Sequence, residues 1–146
     1  MKKALSLILV LVLCVGLCAC GNSSGKKFVG EYIEDRGYGI ERSGNHIQQT
    51  FVLKSGGTGT YKETVDKGDA IVEAGRLIAD GTITWKVEDE YVVITTNIDY
   101  YYGWENSLPY FSNEICSSKT TTETYELKGN KLINITDEND IWSKVQ

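Results

Sequence analysis

The stretch TITWKVEDEYVVITT, residues 82–96, decides the fold class of this chain. Ile83, Trp85 and Val87 alternate with threonine and lysine, which is the period-two pattern of a half-buried β-strand. Residues 88–90 are all acidic and predict a solvated turn, after which residues 91–96 run back as a second strand. We therefore predict an antiparallel hairpin that carries Trp85 on its inner face.

The rest of residues 28–146 repeats this pattern of short β-type runs broken by Gly, Asn and Asp turns. Gly129-Asn130 is typical of a two-residue hairpin turn. Residues 37–45 hold three glycines and predict a loop. Residues 70–79 are interpreted as a strand, although their apolar spacing also fits a helix in part. The other predicted strands are residues 28–33, 47–54, 58–65, 120–128, 131–136 and 141–145.

The fold class that follows is all-β, an antiparallel meander of about eight to ten strands. A long meander has two unpaired edges, and closing on itself removes them. About eight strands close around side chains or around one small ligand. We therefore predict a barrel or half-barrel.

Four segments resemble the lipocalin-like domains of small bacterial lipoproteins, over residues 28–136. Those domains open on Gly-x-aromatic, continue with a Gly-Thr-Gly-x-Tyr hairpin and a Trp-Lys strand, and finish on a Gly-Asn-Lys-Leu hairpin. True lipocalins favour Trp where Tyr32 stands and carry a helix after the barrel, which is not visible here. The resemblance implies a small lipocalin-like barrel and no particular ligand. The segments are residues 30–32 (GEY), 51–61 (FVLKSGGTGTY), 81–89 (GTITWKVED) and 125–132 (YELKGNKL).

The N-terminal region has the layout of a secretory signal peptide: Lys2 and Lys3, an apolar run, then small and polar residues. Residues 17–20, Leu-Cys-Ala-Cys, resemble the lipobox of bacterial lipoproteins. The resemblance implies cleavage after Ala19 and a diacylglycerol thioether on Cys20. Two alternatives stay open, a plain secreted protein and an uncleaved membrane helix, since the apolar run of roughly 16 residues is just shorter than the ~20 that span a bilayer.

We therefore predict a signal peptide at residues 1–19, a flexible linker at 20–27 and the barrel domain at 28–146. The protein would sit on the extracytoplasmic face of a bacterial cell membrane. Removing residues 1–19 changes the formal charge from −5 to −7. An acidic domain without a basic patch argues against nucleic-acid binding. Cys116 is then the one thiol left, either a buried small hydrophobe or an exposed group, and no intrachain disulfide is possible.

Catalytic motifs are sparse in this sequence, although its twenty carboxylates always permit some glycosidase-type pair, and nothing singles one out. His46 is the single histidine, and no nucleophile motif accompanies it. One His and one free Cys do not make a zinc site. Residues 137–140 lack the spacing of a calcium loop. We therefore predict no enzyme activity, no cofactor and no metal site.

Residues 98–116 crowd aromatic side chains around Gly103 and Pro109. Tyr and Trp present apolar faces with polar tips, which suit ligands and protein interfaces, although the same residues would also cover an end of a barrel. The predicted contact residues are Trp85, Tyr101, Tyr102, Trp104, Tyr110 and Phe111.

Two hypotheses follow from this stretch. In the first, a small amphipathic ligand occupies the barrel, with residues 100–111 as a lid. In the second, the core is filled and the same stretch contacts a protein or glycan. The volume of the lumen separates them, because ligand pockets run to roughly 300–1,000 Å³.

Overall fold

The computed structural model describes residues 23–34, 38–40, 45–67, 75–105 and 108–146. The predicted signal peptide, the alternative membrane helix and Cys20 lie outside these residues. Among the helices of the described ranges, none has the length and hydrophobicity needed for a membrane span.

The described residues form a short 3-10 helix, Ser23–Phe28, followed by eleven strands. The strands are β1 (Gly30–Glu34), β2 (Tyr38–Ile40), β3 (Asn45–Lys54), β4 (Thr58–Lys67), β5 (Leu77–Glu88), β6 (Tyr91–Tyr100), β7 (Tyr102–Glu105), β8 (Leu108–Phe111), β9 (Ser117–Lys128), β10 (Lys131–Asn134) and β11 (Ile141–Lys144).

Eight of these strands close into an antiparallel barrel, in the order β1-β11-β10-β9-β6-β5-β4-β3. The closing pair is β1 with β3, in which Tyr32 lies opposite Phe51. The all-β class and the closed antiparallel barrel are therefore confirmed. The β5–β6 hairpin is confirmed as well, since Trp85 lies opposite Ile94 in its register.

Two local predictions differ from the structure. The loop predicted at residues 37–45 contains β2, because Tyr38–Ile40 pair with residues 45–47 of β3 beyond the end of β1. Residues 98–116, which showed no regular pattern, contain the β7–β8 hairpin. Of the strand predicted at 70–79, only the part from Leu77 is seen, and residues 70–74 lie outside the described ranges.

The barrel has two different ends. Three tight turns, at residues 55–57, 89–90 and 129–130, lie at one end together with the 3-10 helix. We call it the closed end, because apolar side chains fill the lumen there. The longer connections lie at the other end, which we call the mouth. The core residues nearest the closed end are Phe28, Tyr32, Leu53, Ile83, Val92 and Leu132.

The 3-10 helix covers the closed end. Phe28 is fully buried, and burying such a ring contributes roughly 1.5–3 kcal/mol. The Tyr32 hydroxyl donates to the Phe28 carbonyl oxygen at 2.9 Å. Gly25 packs against the Trp85 indole. The stretch predicted as a flexible linker, residues 20–27, thus includes helical residues from Ser23 onward, because the Phe28 ring anchors them to the core.

Candidate functional site

A cavity of about 360 Å³ occupies the mouth half of the lumen. Its volume lies within the usual range of ligand pockets. The floor, toward the closed end, is apolar and aromatic, and the wall above it is polar. The floor is formed by Phe51, Ile94 and Trp142, and the carboxylates of the wall belong to Glu34, Glu63, Glu123, Asp137 and Asp140.

The floor is a cluster of aromatic rings that are tilted against one another. The Phe51 ring centroid lies 4.3 Å from that of Trp142 and 5.2 Å from that of Tyr32. Tyr125 adds a fourth ring, 6.4 Å from Phe51. These residues come from β1, β3, β9 and β11, so barrel closure is what brings them together. The cluster seals the cavity from the closed end and offers π faces to its contents.

Glu63, on β4, is the most deeply buried acid of the cavity, with 7% of its surface exposed. The Tyr61 hydroxyl donates to its Oε1, and Gln49 Nε2 donates to the same oxygen at 3.3 Å. Burial raises the pKa of Glu63, while the Tyr61 hydrogen bond and the charge of Lys119 oppose the rise. Oε2 receives no hydrogen bond from the described residues. Glu63 can therefore accept a hydrogen bond or a positive charge from a bound molecule.

The Asp140 carboxylate, in contrast, already has hydrogen-bond partners within the barrel. Its carboxylate accepts hydrogen bonds from Asn134 Nδ2 at 2.8 Å and Trp142 Nε1 at 2.8 Å. The Tyr125 hydroxyl lies 3.0 Å from Asp140 Oδ2 and 2.6 Å from Glu123 Oε2, and it can donate to either. Asp140 thus holds the side chains of Asn134, Trp142 and Tyr125 in place, and Glu123 lies within hydrogen-bond distance of the same Tyr125 hydroxyl.

The tyrosines of the wall experience a negative environment. Burial raises the pKa of Tyr125, and the carboxylates of Asp140 and Glu123 raise it further. Burial and the Glu63 carboxylate also raise the pKa values of Tyr61 and Tyr100. The hydroxyls therefore stay protonated at neutral pH. Lys119 is the single cation among the described residues that line the cavity.

The structure describes only some of the side chains that could carry catalysis or bind a metal ion. Cys116 is half-buried, with its Sγ 3.8 Å from the Glu114 carbonyl oxygen. The His46 side chain lies outside the described part of the structure. Within that part, no three His, Cys, Asp or Glu side chains lie close enough together to hold a metal ion.

The six contact residues predicted from the sequence are absent from the described lining of this cavity. Trp85 faces inward but sits at the closed end, where its Nε1 donates to the Lys54 and Thr58 carbonyl oxygens, both at 3.0 Å. The Tyr101 hydroxyl donates to Asp80 at 3.1 Å. The cavity and the predicted set are thus separate groups of residues.

The β7–β8 hairpin lies beside the mouth. The Tyr102 and Phe111 rings are 5.4 Å apart and pack on a small second core of Ile47, Val65 and Ile78. The hairpin base is held by the Tyr101 amide, which donates to the Ile78 carbonyl oxygen at 2.8 Å. Tyr110 packs its ring against Gly103 and stays 40% exposed. The side chain of Trp104 lies outside the described part of the structure.

Sequence reasoning missed the acids of the lumen. A signal for them was present, because Tyr61 and Glu63 share one strand face, as do Glu123 and Tyr125. In both cases the tyrosine hydroxyl donates to the acid two residues before or after it, and the Tyr61–Glu63 pair is buried.

No protein-family model, no curated protein and no solved structure matches this chain.

Proposed function

We propose that this chain is a lipid-anchored binding protein of the cell envelope, which holds a small amphipathic molecule in its barrel. The observation that carries the proposal is the cavity of about 360 Å³ with an aromatic floor and a carboxylate-rich wall. A floor of this kind accepts an apolar body, and the wall accepts a polar end. The lipobox-like residues 17–20 support the anchor on Cys20.

The chemistry of the wall favours a ligand whose polar end is cationic. Among the described residues, five acids and one lysine line the cavity, so a positive charge is attracted and a negative one repelled. Glu63 Oε2 is available to an amine, and the rings of Phe51 and Trp142 add cation–π and apolar contacts. An organic amine with an apolar body satisfies both halves of the cavity.

A second function, contact with a protein or glycan through the β7–β8 hairpin, is favoured by one observation. Tyr110 and Ile115 are 40% and 55% exposed near the hairpin. Tyr102 and Phe111, however, are used for packing within the barrel. This hypothesis also requires a filled core, whereas the lumen contains a cavity of about 360 Å³. The lumen is therefore the better-supported site.

Calorimetry with a matched pair of probes tests the proposal: 2-phenylethylamine and its neutral counterpart 2-phenylethanol. The lipidated protein in detergent micelles should bind the amine more tightly. Thr96 lines the cavity, so Thr96→Phe should fill it and abolish binding. Thr95 lies on the outer face, with its hydroxyl 2.9 Å from that of Thr122, so Thr95→Phe serves as the control. Unchanged affinity in Thr96→Phe would refute the lumen as the site, and equal affinity for both probes would refute its preference for a cation.

A further inference from the structure

The two ends of the barrel differ in charge. Near the closed end, seven lysines of the described residues face five side-chain carboxylates. Among the mouth-half residues whose side chains the structure describes, nine carboxylates face only Lys62, Arg76 and Lys119. Six of the seven closed-end lysines are exposed. Lys86 forms an ion pair with Glu88, and Lys128 forms one with Glu126. The seven are Lys26, Lys27, Lys54, Lys86, Lys128, Lys131 and Lys144.

The predicted lipid attachment point is close to the same end. Three residue steps separate Cys20 from Ser23, where the 3-10 helix begins. An extended chain spans at most about 3.6 Å per residue, so a lipid on Cys20 lies within about 11 Å of the helix start. The helix itself is fixed to the core through Phe28. The tether is therefore too short to let the barrel turn over freely above a bilayer.

From this charge distribution and tether we propose that the closed end rests on an anionic lipid surface and the mouth points away from it. The proposal rests on the lipid anchor of the proposed function. Lysines near anionic headgroups are attracted over roughly one Debye length, about 8 Å at physiological salt. A ten-residue strand spans about 33 Å, or about 25 Å along the axis of a barrel with tilted strands. The mouth carboxylates thus lie beyond the reach of the surface potential.

The opposite orientation is unfavourable for two reasons. It would bring the excess of mouth carboxylates against an anionic surface, where like charges repel. It would also place the barrel between the bilayer and its own attachment point, which the short tether does not allow. In the proposed orientation the cavity opens to the aqueous phase, so its ligand is captured from solution and not extracted from the membrane.

Lysine acetylation followed by mass spectrometry tests the orientation on the lipidated protein. The lipidated protein should be reconstituted in phosphatidylcholine vesicles, in vesicles with about one quarter phosphatidylglycerol, and in detergent micelles. Lys54 and Lys131 should react about fivefold more slowly in the anionic vesicles than in micelles, since headgroups cover them. Lys62 and Lys119, in the mouth half, should react at the same rate in all three. Protection of the mouth pair, or no protection of the closed-end pair, would overturn the proposal.

A matched pair of charge reversals isolates the electrostatic cause. Lysines exceed carboxylates by two at the closed end, so Lys54→Glu removes the excess in one step. This variant should lose most of the protection of Lys131 in anionic vesicles. Lys62→Glu makes the same change of charge at the outer face of β4 and should leave the protection unchanged. Equal loss in both variants would show that local charge does not set the orientation.

The proposed ligand site in the lumen and the proposed orientation on the membrane can be refuted independently. Amine binding is measured in micelles, where no bilayer is present, so it does not depend on orientation. Amine binding together with reactive closed-end lysines would refute the orientation alone. A mass spectrum without lipid on Cys20 would refute both the orientation and the anchored part of the proposed function, and would leave the lumen measurement standing.

Discussion

The replacement Glu63→Gln tests the role of the buried acid in the lumen. The amide keeps the shape of the side chain and an oxygen that accepts the Tyr61 hydrogen bond, but it replaces Oε2 with an uncharged nitrogen that donates hydrogen bonds. In the proposed complex the charge faces the amine of the ligand through Oε2. The variant should therefore lose affinity for 2-phenylethylamine and keep its affinity for 2-phenylethanol.

The size of the loss follows from the burial of Glu63. A hydrogen bond to a charged partner contributes about 1.5–3 kcal/mol, and every 1.4 kcal/mol changes a dissociation constant about tenfold. Glu63 is 7% exposed, so solvent screens its charge little. We expect the amine to bind about 10- to 100-fold more weakly to the variant. The alcohol should bind within about twofold of wild type, because its interactions are independent of the charge.

The same replacement changes the pH dependence, and the sign follows from the raised pKa of Glu63. Folding disfavours the charged form, so the contribution of this group to stability is present below its unfolded value near 4.5 and is lost as pH rises through the higher folded value. Glu63→Gln should thus be more stable than wild type at neutral pH and lose that advantage in acid. Amine affinity of wild type should fall as Glu63 becomes protonated.

Calorimetric titrations of both probes between pH 4 and pH 8, with urea unfolding over the same range, measure these effects. Tyr61→Phe is a useful companion variant, since it removes a donor to Glu63 and leaves the charge in place. Equal weakening of amine and alcohol binding by Glu63→Gln would refute the reasoning, because it would indicate a change of shape and not of charge. A variant less stable than wild type at neutral pH would contradict the sign of the pKa shift.

Three further changes test the fold and the processing. Phe28→Ala empties a fully buried site and should destabilise the domain by about 3–5 kcal/mol in urea unfolding; a change below about 1 kcal/mol would contradict the anchoring of the 3-10 helix. Gly81→Ala places a Cβ against the Asn97 carbonyl oxygen and should lower the melting temperature, whereas the exposed Thr82→Ala should not; similar melting temperatures would contradict this close approach. Cys20→Ala should abolish metabolic labelling with radioactive palmitate and accumulate precursor, and retained labelling would exclude Cys20 as the lipid site.

The fold could be predicted from the sequence because its signals are local. In the β5–β6 hairpin, alternation on both strands and the acidic turn at residues 88–90 point to the same structure. β2 and the β7–β8 hairpin were missed because their alternation is weak: Gly39 interrupts the first and Pro109 the second. Their pairing is specified by backbone contacts with neighbouring strands, which no short sequence window contains.

The candidate site was predicted less well, for a physical reason. An acid in a strand usually faces water, so Glu63 and Glu123 were not singled out from the sequence as residues of the lumen. The depth of a residue in a barrel depends on closure and on strand stagger, and both are properties of the whole sheet. Asp140 joins Tyr125 and Trp142 only after β9, β10 and β11 have paired. Tyr101, Tyr102 and Phe111 were conspicuous in the sequence. In the structure, Tyr101 donates a hydrogen bond to Asp80, and Tyr102 and Phe111 pack on the second core. These contacts explain the three residues without a ligand.

The polar wall of the cavity has a consequence for how such a protein can evolve. Core residues fill the closed end and form the floor of the cavity, whereas Glu63, Lys119 and Thr121 belong to the polar wall above it. Substitutions at a polar, partly open wall remove little buried apolar surface, so they change stability less than core substitutions do. Selection can therefore alter the specificity of the mouth while the other end preserves the fold. A lineage built on this plan would diversify its ligands faster than its scaffold, with little of the usual conflict between new function and stability.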